Sequence, residues 1–277
     1  MHSVLADLHK RYFTYDQALK ATETWSERTK TMPSFRKLVS TQSKFELAIR
    51  KHWQYQKEHT DQFVNWSTYA LLVPKKAAEI TVNNEDGSSY VSAIDSAAFV
   101  NEKALMQAIL TEYILTSTGL GIADANEIYT DSGLSVTSSE VVRAVTDRTA
   151  TLVQDITKTT RADIQQSIAT SIKLRETVEE ASYRVGETIG SSYRAEMIAR
   201  TETRNSYIDG QQQVATQIGY TKQKWDPSAD PCPLCEENAD AGWISTDDDF
   251  PNGDDPHPNC LCGAIIYGMG SPDDGND

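Results

Sequence analysis

Cysteine is scarce in this chain and missing from most of it: four occur in 277 residues, all between positions 232 and 262. Long apolar runs are missing too. Nowhere do about 18 consecutive apolar residues occur, and the opening Met1-His-Ser-Val-Leu-Ala-Asp-Leu-His-Lys has no cationic patch followed by an apolar stretch. These absences predict a soluble protein made in a reducing cytoplasm, with no membrane partner and nothing to favour disulfides. Positive charge is missing from one region, since 13 acidic residues and no Lys or Arg lie between Asp226 and Asp277. The formal net charge of −14 therefore belongs to the C-terminal end, with −1 left for the rest. Such an end repels phosphate, which weighs against its binding nucleic acid directly. The runs Asp247-Asp248-Asp249 and Asp254-Asp255 do not have the spacing of an EF-hand loop and read as solvated. Hydrophobic content is ordinary, so most of the chain folds, as two modules more readily than one.

What is present is concentrated. Cys232-Pro-Leu-Cys235 is followed by His257-Pro-Asn-Cys260-Leu-Cys262, five soft ligands for a tetrahedral ion that needs four. Zinc in a structural role is the expected cofactor. Cys260 and Cys262, if extended, face one side of a strand and complete a four-thiolate set with Cys232 and Cys235. Alternatively His257 and Cys260, spaced like the first pair, complete a Cys3His set. Four thiolates are preferred, with His257 beside them or as an alternative ligand. Buried thiols or disulfides are the plain alternative. Pro231-Cys-x-x-Cys235 is half of a zinc-deaminase signature, but neither His52 nor His59 is followed by the required x-Glu. A surplus of protein ligands also argues against an open catalytic position. No catalytic and no organic cofactor-binding residues are assigned.

The remainder reads as mainly α: a helical N-terminal half and a helical bundle leading into a small zinc-stapled α+β module. Residues 1 to about 30 suggest a weakly marked helix pair. Phe35, Leu38, Gln42, Phe45, Ile49 and Trp53 recur at three-and-four spacing, one stripe of a long helix, with Phe63, Trp66 and Tyr69 beyond and a stop before Pro74. The stripe reads as core or, given its aromatics, as a face for a partner. Residues 80–91 offer a small hairpin or a loop. Asp95 caps a helix carrying Val100, Leu105, Ile109 and Ile114 that ends near Gly119 and Gly121. Thr137-Ser-Ser-Glu140 and Thr177-Val-Glu-Glu180 are capping boxes. Between them, Val142 to Ile156 and Ile164 to Ile172 read as separate helices, so three short helices form a bundle rather than a rod. The next helix, Ser192 to Gln217, has an inner stripe through Ile198, Thr201, Asn205, Ile208 and Gln212, mostly polar. Either it is a solvated face, or it is a buried network joining helix to metal module through Arg200 or Glu202. Gly219 caps it, and strands are expected at Lys222–Trp225 and Gly263–Tyr267.

These motifs, in order, carry a resemblance. Ala-Glu-Met-Ile-Ala-Arg200-Thr-Glu202-Thr, Tyr207-x-x-Gly210, Gly219-Tyr, Lys224-Trp225, Cys232-x-x-Cys235, Phe250-Pro and His257-Pro-Asn-Cys260-x-Cys262 resemble the phage head-morphogenesis family, the Mu F-like minor head proteins. Thr177-Val-Glu-Glu-Ala181 is similar to that family's approach to the domain. Leu261 departs from it, standing where the family usually has a basic residue. The resemblance covers about half the chain and implies a head-morphogenesis domain 131–267 with its zinc module at 222–267; residues 1–130 lie outside it and read from their own composition as an aromatic-rich helical region, and 268–277 as an acidic, disordered tail.

It also implies a role: a non-enzymatic minor structural protein of a tailed-phage head, located in the virion near the portal vertex. Its partners would be the portal protein or inner capsid surface, and its work head assembly or DNA ejection. The alternative is a zinc-containing nuclease or effector delivered with the DNA, using His257 and nearby aspartates.

Overall fold

The computed structural model describes residues 25–72 and 87–270. The part before residue 25 of the helix pair expected in residues 1 to about 30, most of the 80–91 interval, the stop before Pro74 and the end of the acidic tail lie outside the described residues. The described chain is mainly helical with one small sheet, in the order α1 (Glu27–Thr31), α2 (Phe35–Glu58), α3 (Trp66–Leu72), α4 (Ala97–Ile128), α5 (Ser139–Leu174), α6 (Val178–Thr188), α7 (Ser192–Gln217), β1 (Lys222–Pro227), α8 (Pro233–Asp240), β2 (Trp243–Ser245) and β3 (Gly263–Gly268). None of the described helices is long and apolar enough to cross a membrane.

Two compact units interleave along the sequence: one takes residues 25–43, 115–141 and 198–270, the other 44–114 and 142–197.

The second unit is aromatic at its centre. The α2 stripe is buried at Phe45, Ile49 and Trp53. Phe45 stacks on Tyr113 at 5.0 Å, Phe63 packs on Phe99 at 5.0 Å, and Arg194 lies over the Trp53 ring at 5.3 Å. The aromatics that could have formed a partner face, Trp53, Phe63 and Tyr69, are therefore core, while Tyr55 is exposed. Inside α4 the inward residues are Phe99, Met106, Leu110 and the expected Ile114, whereas the expected Val100 and Leu105 point outward. A shift of one position moves the stripe by about 100° on a helix.

Several helix boundaries correct the sequence reading: the helix expected to run from Phe35 to before Pro74 ends at Glu58, and a separate helix, α3, starts at Trp66. The two helices expected between 142 and 172 are one 36-residue helix, α5. The polar Thr157 and Thr160 at the apparent break each donate a hydroxyl to the carbonyl four residues back, those of Val153 and Ile156. No Gly or Pro interrupts the run, so nothing stops propagation. Thr137 does not form the expected box: its hydroxyl meets that of Ser135 at 2.9 Å, and the helix begins at Ser139. The second box is formed, with Thr177 accepting from the Glu180 amide and Glu180 accepting from the Thr177 amide.

In the first unit α4 continues through both glycines at which it was expected to end. A Cβ on Gly121 would lie 2.0 Å from the Tyr207 carbonyl oxygen, and one on Gly210 would lie 2.2 Å from that of Thr118. The glycines let α4 and α7 touch backbone to backbone instead of breaking either helix. Asp124, buried one turn along α4, accepts from the Tyr207 hydroxyl at 2.7 Å and the Ser34 amide at 3.1 Å. α7 closes with a paired bond from the Gly219 amide to Thr216 and the Tyr220 amide to Ala215, the Schellman arrangement.

β1 then runs between its partners in the order β2-β1-β3, both antiparallel, with Lys224 opposite Ile266 and Trp243. Trp25, Leu38, Ile208, Trp225, Phe250 and Ile265 form the apolar centre around this sheet. α1 is tied to it by the Ser26 amide, which donates to the Leu261 carbonyl at 3.1 Å.

Candidate metal centre

The first cysteine pair is placed by a helix start. Pro233 occupies the first turn of α8 and Cys232 is its N-cap residue. A proline there has no amide to leave unsatisfied. Cys235 follows one turn in, on the same side of α8 as Cys232, and the first-turn amides and helix dipole favour negative charge on both sulfurs. The second pair is placed by a turn and a strand. Cys260 and Cys262 lie immediately before β3, and the chain there alternates: Leu261 is buried in the apolar core while the two flanking sulfurs stand 3.5 Å apart. Asn259 enters the turn with φ of 70°, a region in which asparagine is among the best-tolerated side chains. Its amide is held by the Thr201 hydroxyl on α7 at 2.7 Å, and the Cys260 amide returns to the His257 carbonyl at 3.2 Å.

The sulfur atoms of Cys232, Cys235, Cys260 and Cys262 lie within 4.8 Å of one another and could together hold a metal ion. Cys235 is 3.3 Å from both Cys260 and Cys262. A tetrahedron with metal–sulfur bonds of about 2.3 Å has sulfur–sulfur edges of about 3.8 Å, close to these separations, whereas a disulfide needs about 2.05 Å. All four cysteines are free thiols.

His257 is outside that group. Its Nδ1 faces the Pro258 carbonyl at 2.8 Å, and its Nε2 lies 3.1 Å from Cys232 Sγ.

Crowding divides the thiols electrostatically. Cys262 is pushed well down by hydrogen bonds from Cys235 and Cys260, with the Cys232 amide adding to them. Cys235 is pushed far up by donating to Cys260 and Cys262, and by burial. Cys260 rises to about 11: the bond from Cys235 lowers it, but its bond to Cys262 and its burial outweigh that. Four thiols this close do not all ionise without a cation among them. A bound divalent ion reverses the balance and releases their protons.

The surrounding loop is pinned from below. Asn238, fully buried on α8, accepts from the Asn252 amide at 2.8 Å and donates to the Gly253 carbonyl at 2.9 Å. From α7, Asn205 donates to the Asp255 carboxylate at 3.0 Å, while Arg204 bonds the carbonyls of Asp254 and Gly263. Asp247, Asp248 and Asp249 are exposed as expected of a solvated run; Asp254 is half-buried, and burial raises its carboxyl pKa.

The inner stripe of α7 is thus a buried polar network. From Ala199 to Ile208 only Thr201 is more than marginally exposed, and Thr203, Arg204, Asn205 and Ser206 are all covered. Arg200 and Glu202, the residues singled out from the sequence, are buried and engaged. Thr201, Arg204 and Asn205 each bond across to the cysteine module. Arg204 could have been found by asking which cation lies next to the stretch from Asp226 onward, which has no Lys or Arg of its own. No family model, curated protein or solved structure matches the chain.

Proposed function

We propose that the four cysteines hold one zinc ion as a structural staple, and that the chain serves as a minor structural protein of a tailed-phage head rather than as an enzyme. The carrying observation is the closed donor set. Four protein sulfurs within 4.8 Å of one another satisfy a tetrahedral ion and leave no position for water or substrate. Thiolates also suit zinc better than they suit magnesium, calcium or manganese. The order of motifs from Arg200 to Cys262 supports the head-protein role. The partner on this reading is the portal or the inner capsid surface, and the place is the virion near the portal vertex.

The test is the position of the protein in a particle. Labelled protein at a single vertex, together with heads that fail to mature or deliver DNA when the chain is absent, supports the role. Uniform distribution over the shell, or absence from particles, contradicts it. DNA cleavage by the purified protein with magnesium or manganese, lost in His257→Ala, would replace it with the nuclease reading.

A further inference from the structure

Four thiolates around one divalent cation form a dianion, and a dianion in a covered site needs a counter-charge. Cys235 and Cys260 are both buried. The segment that supplies the ligands has no Lys or Arg from Asp226 onward, so the cation has to come from elsewhere. On α7, Arg204 is only 1% exposed, and its guanidinium lies over the Trp225 ring at 5.2 Å. Its hydrogen bonds all go to neutral oxygens: Asn205 Oδ1 at 3.0 Å, the Gly263 carbonyl at 3.2 Å and the Asp254 carbonyl. Among the described residues its Nε has no hydrogen-bond partner. A buried guanidinium hydrogen-bonded to neutral acceptors is unfavourable on its own, as is a buried thiolate cluster, and the two charges offset each other, with Asp254 and Asp255 adding to the thiolates. Gly263 directly follows the ligand Cys262, so the bond to its carbonyl ties the guanidinium to the backbone next to a ligand. Burial lowers the Arg204 pKa, and among the groups that push back Cys260 and Cys235 come ahead of Asp254 and Asp255.

We propose that Arg204 is the counter-ion of the metal centre, an affinity-setting residue that fits the site to a divalent cation held by four thiolates. This rests on the reading of the cysteines as a metal site. Its consequence is charge selectivity: the benefit of Arg204 scales with the negative charge of the ligand set.

The experiment uses the reduced full-length chain, titrated with Zn2+ and Co2+ in competition with a chelator. Arg204→Met and Arg204→Lys are compared, each with and without Cys262→His, which removes one negative charge from the ligands. Wild type is expected to give the absorption of tetrahedral thiolate-bound Co2+. Arg204→Met should weaken both metals by roughly 10- to 100-fold, the usual effect of losing a group that supports the ligands. Arg204→Lys should recover most of that loss. In the Cys262→His background Arg204→Met should cost distinctly less.

Equal losses in the Met and Lys variants, or an equal cost in both backgrounds, would show a carbonyl clamp and overturn the counter-ion. So would unchanged affinity in Arg204→Met while wild type binds. If Arg204→Met does not fold, Arg204→Lys decides: affinity within several-fold of wild type supports the proposal, and a loss of tenfold or more overturns it. Failure of wild type to bind either metal would remove the metal reading itself, and the proposal with it.

Discussion

The backbone amide of Asn259 donates to the hydroxyl of Thr201 at 2.7 Å, joining the turn before Cys260 to the middle of α7 across 58 residues of sequence. With the Arg204 and Asn205 bonds, this contact makes α7 the platform on which the second cysteine pair is built.

Thr201→Val keeps the shape and removes the acceptor. Leaving one covered amide unpaired costs about 1–3 kcal/mol. Denaturant unfolding of metal-loaded protein should show that loss with an unchanged slope, and wild-type stability would mean that water replaces the hydroxyl.

The close approach of α4 and α7 gives a second expectation. Alanine at Gly210 would gain helix propensity of about 1 kcal/mol on an isolated helix. Here its Cβ meets the Thr118 carbonyl oxygen at 2.2 Å. The helices must separate, and overpacking costs about 1–3 kcal/mol. A lowered urea midpoint is expected; a raised one would show that the contact gives way easily.

Removing the metal should act locally. Every candidate ligand lies in 232–262, and among the described residues the unit formed by 44–114 and 142–197 contributes none. Chelation should therefore speed hydrogen exchange over about 222–267 and leave that unit protected. Uniform exchange over the whole chain would contradict a local staple.

Glu102 sets a pH expectation in the second unit. Burial raises its pKa, but hydrogen bonds from His52 at 3.0 Å and Gln56 at 2.8 Å outweigh that, and the net shift is downward. A carboxylate with a depressed folded pKa contributes stability above its unfolded value, near 4.3. That contribution is lost as pH falls through the folded value. Wild type should lose stability over this acid range more steeply than Glu102→Gln, as read from thermal midpoints between neutral pH and about pH 3; parallel curves would exclude Glu102 as the cause.

Legibility in the sequence followed the range of the interaction responsible. The capping box at Thr177 and the closure of α7 at Gly219 depend on a few adjacent residues, and both were readable. So were β1 and β3, whose expected spans the structure extends by one or two residues. The readings that failed had distant causes. Gly119 and Gly121 looked like a helix end because Gly121 is explained by α7, some 90 residues away. The threonines at 157 and 160 looked like a break because their hydroxyls bond the same helix's carbonyls rather than compete with it. α8 was missed although Pro233 after Cys232 is a helix-start signal. The four cysteines were plain from spacing; which polar residues of α7 would face them was not, since that depends on how the loop from Asp254 to Asn259 folds back.

Ligand substitution should separate the cysteines from His257. Cys235→Ser removes a donor and the folding energy that comes with it, whereas His257→Ala removes a neighbour of Cys232 and should cost about 10- to 100-fold in metal affinity with the module still folded. Equal damage from the two would favour a Cys3His set.

The most direct measurement is X-ray absorption at the zinc edge on freshly purified, reduced full-length protein, with metal content determined on the same sample. The account predicts about one zinc per chain surrounded by four sulfurs at about 2.3 Å. A nitrogen or oxygen neighbour at bonding distance, or protein without metal, would contradict it.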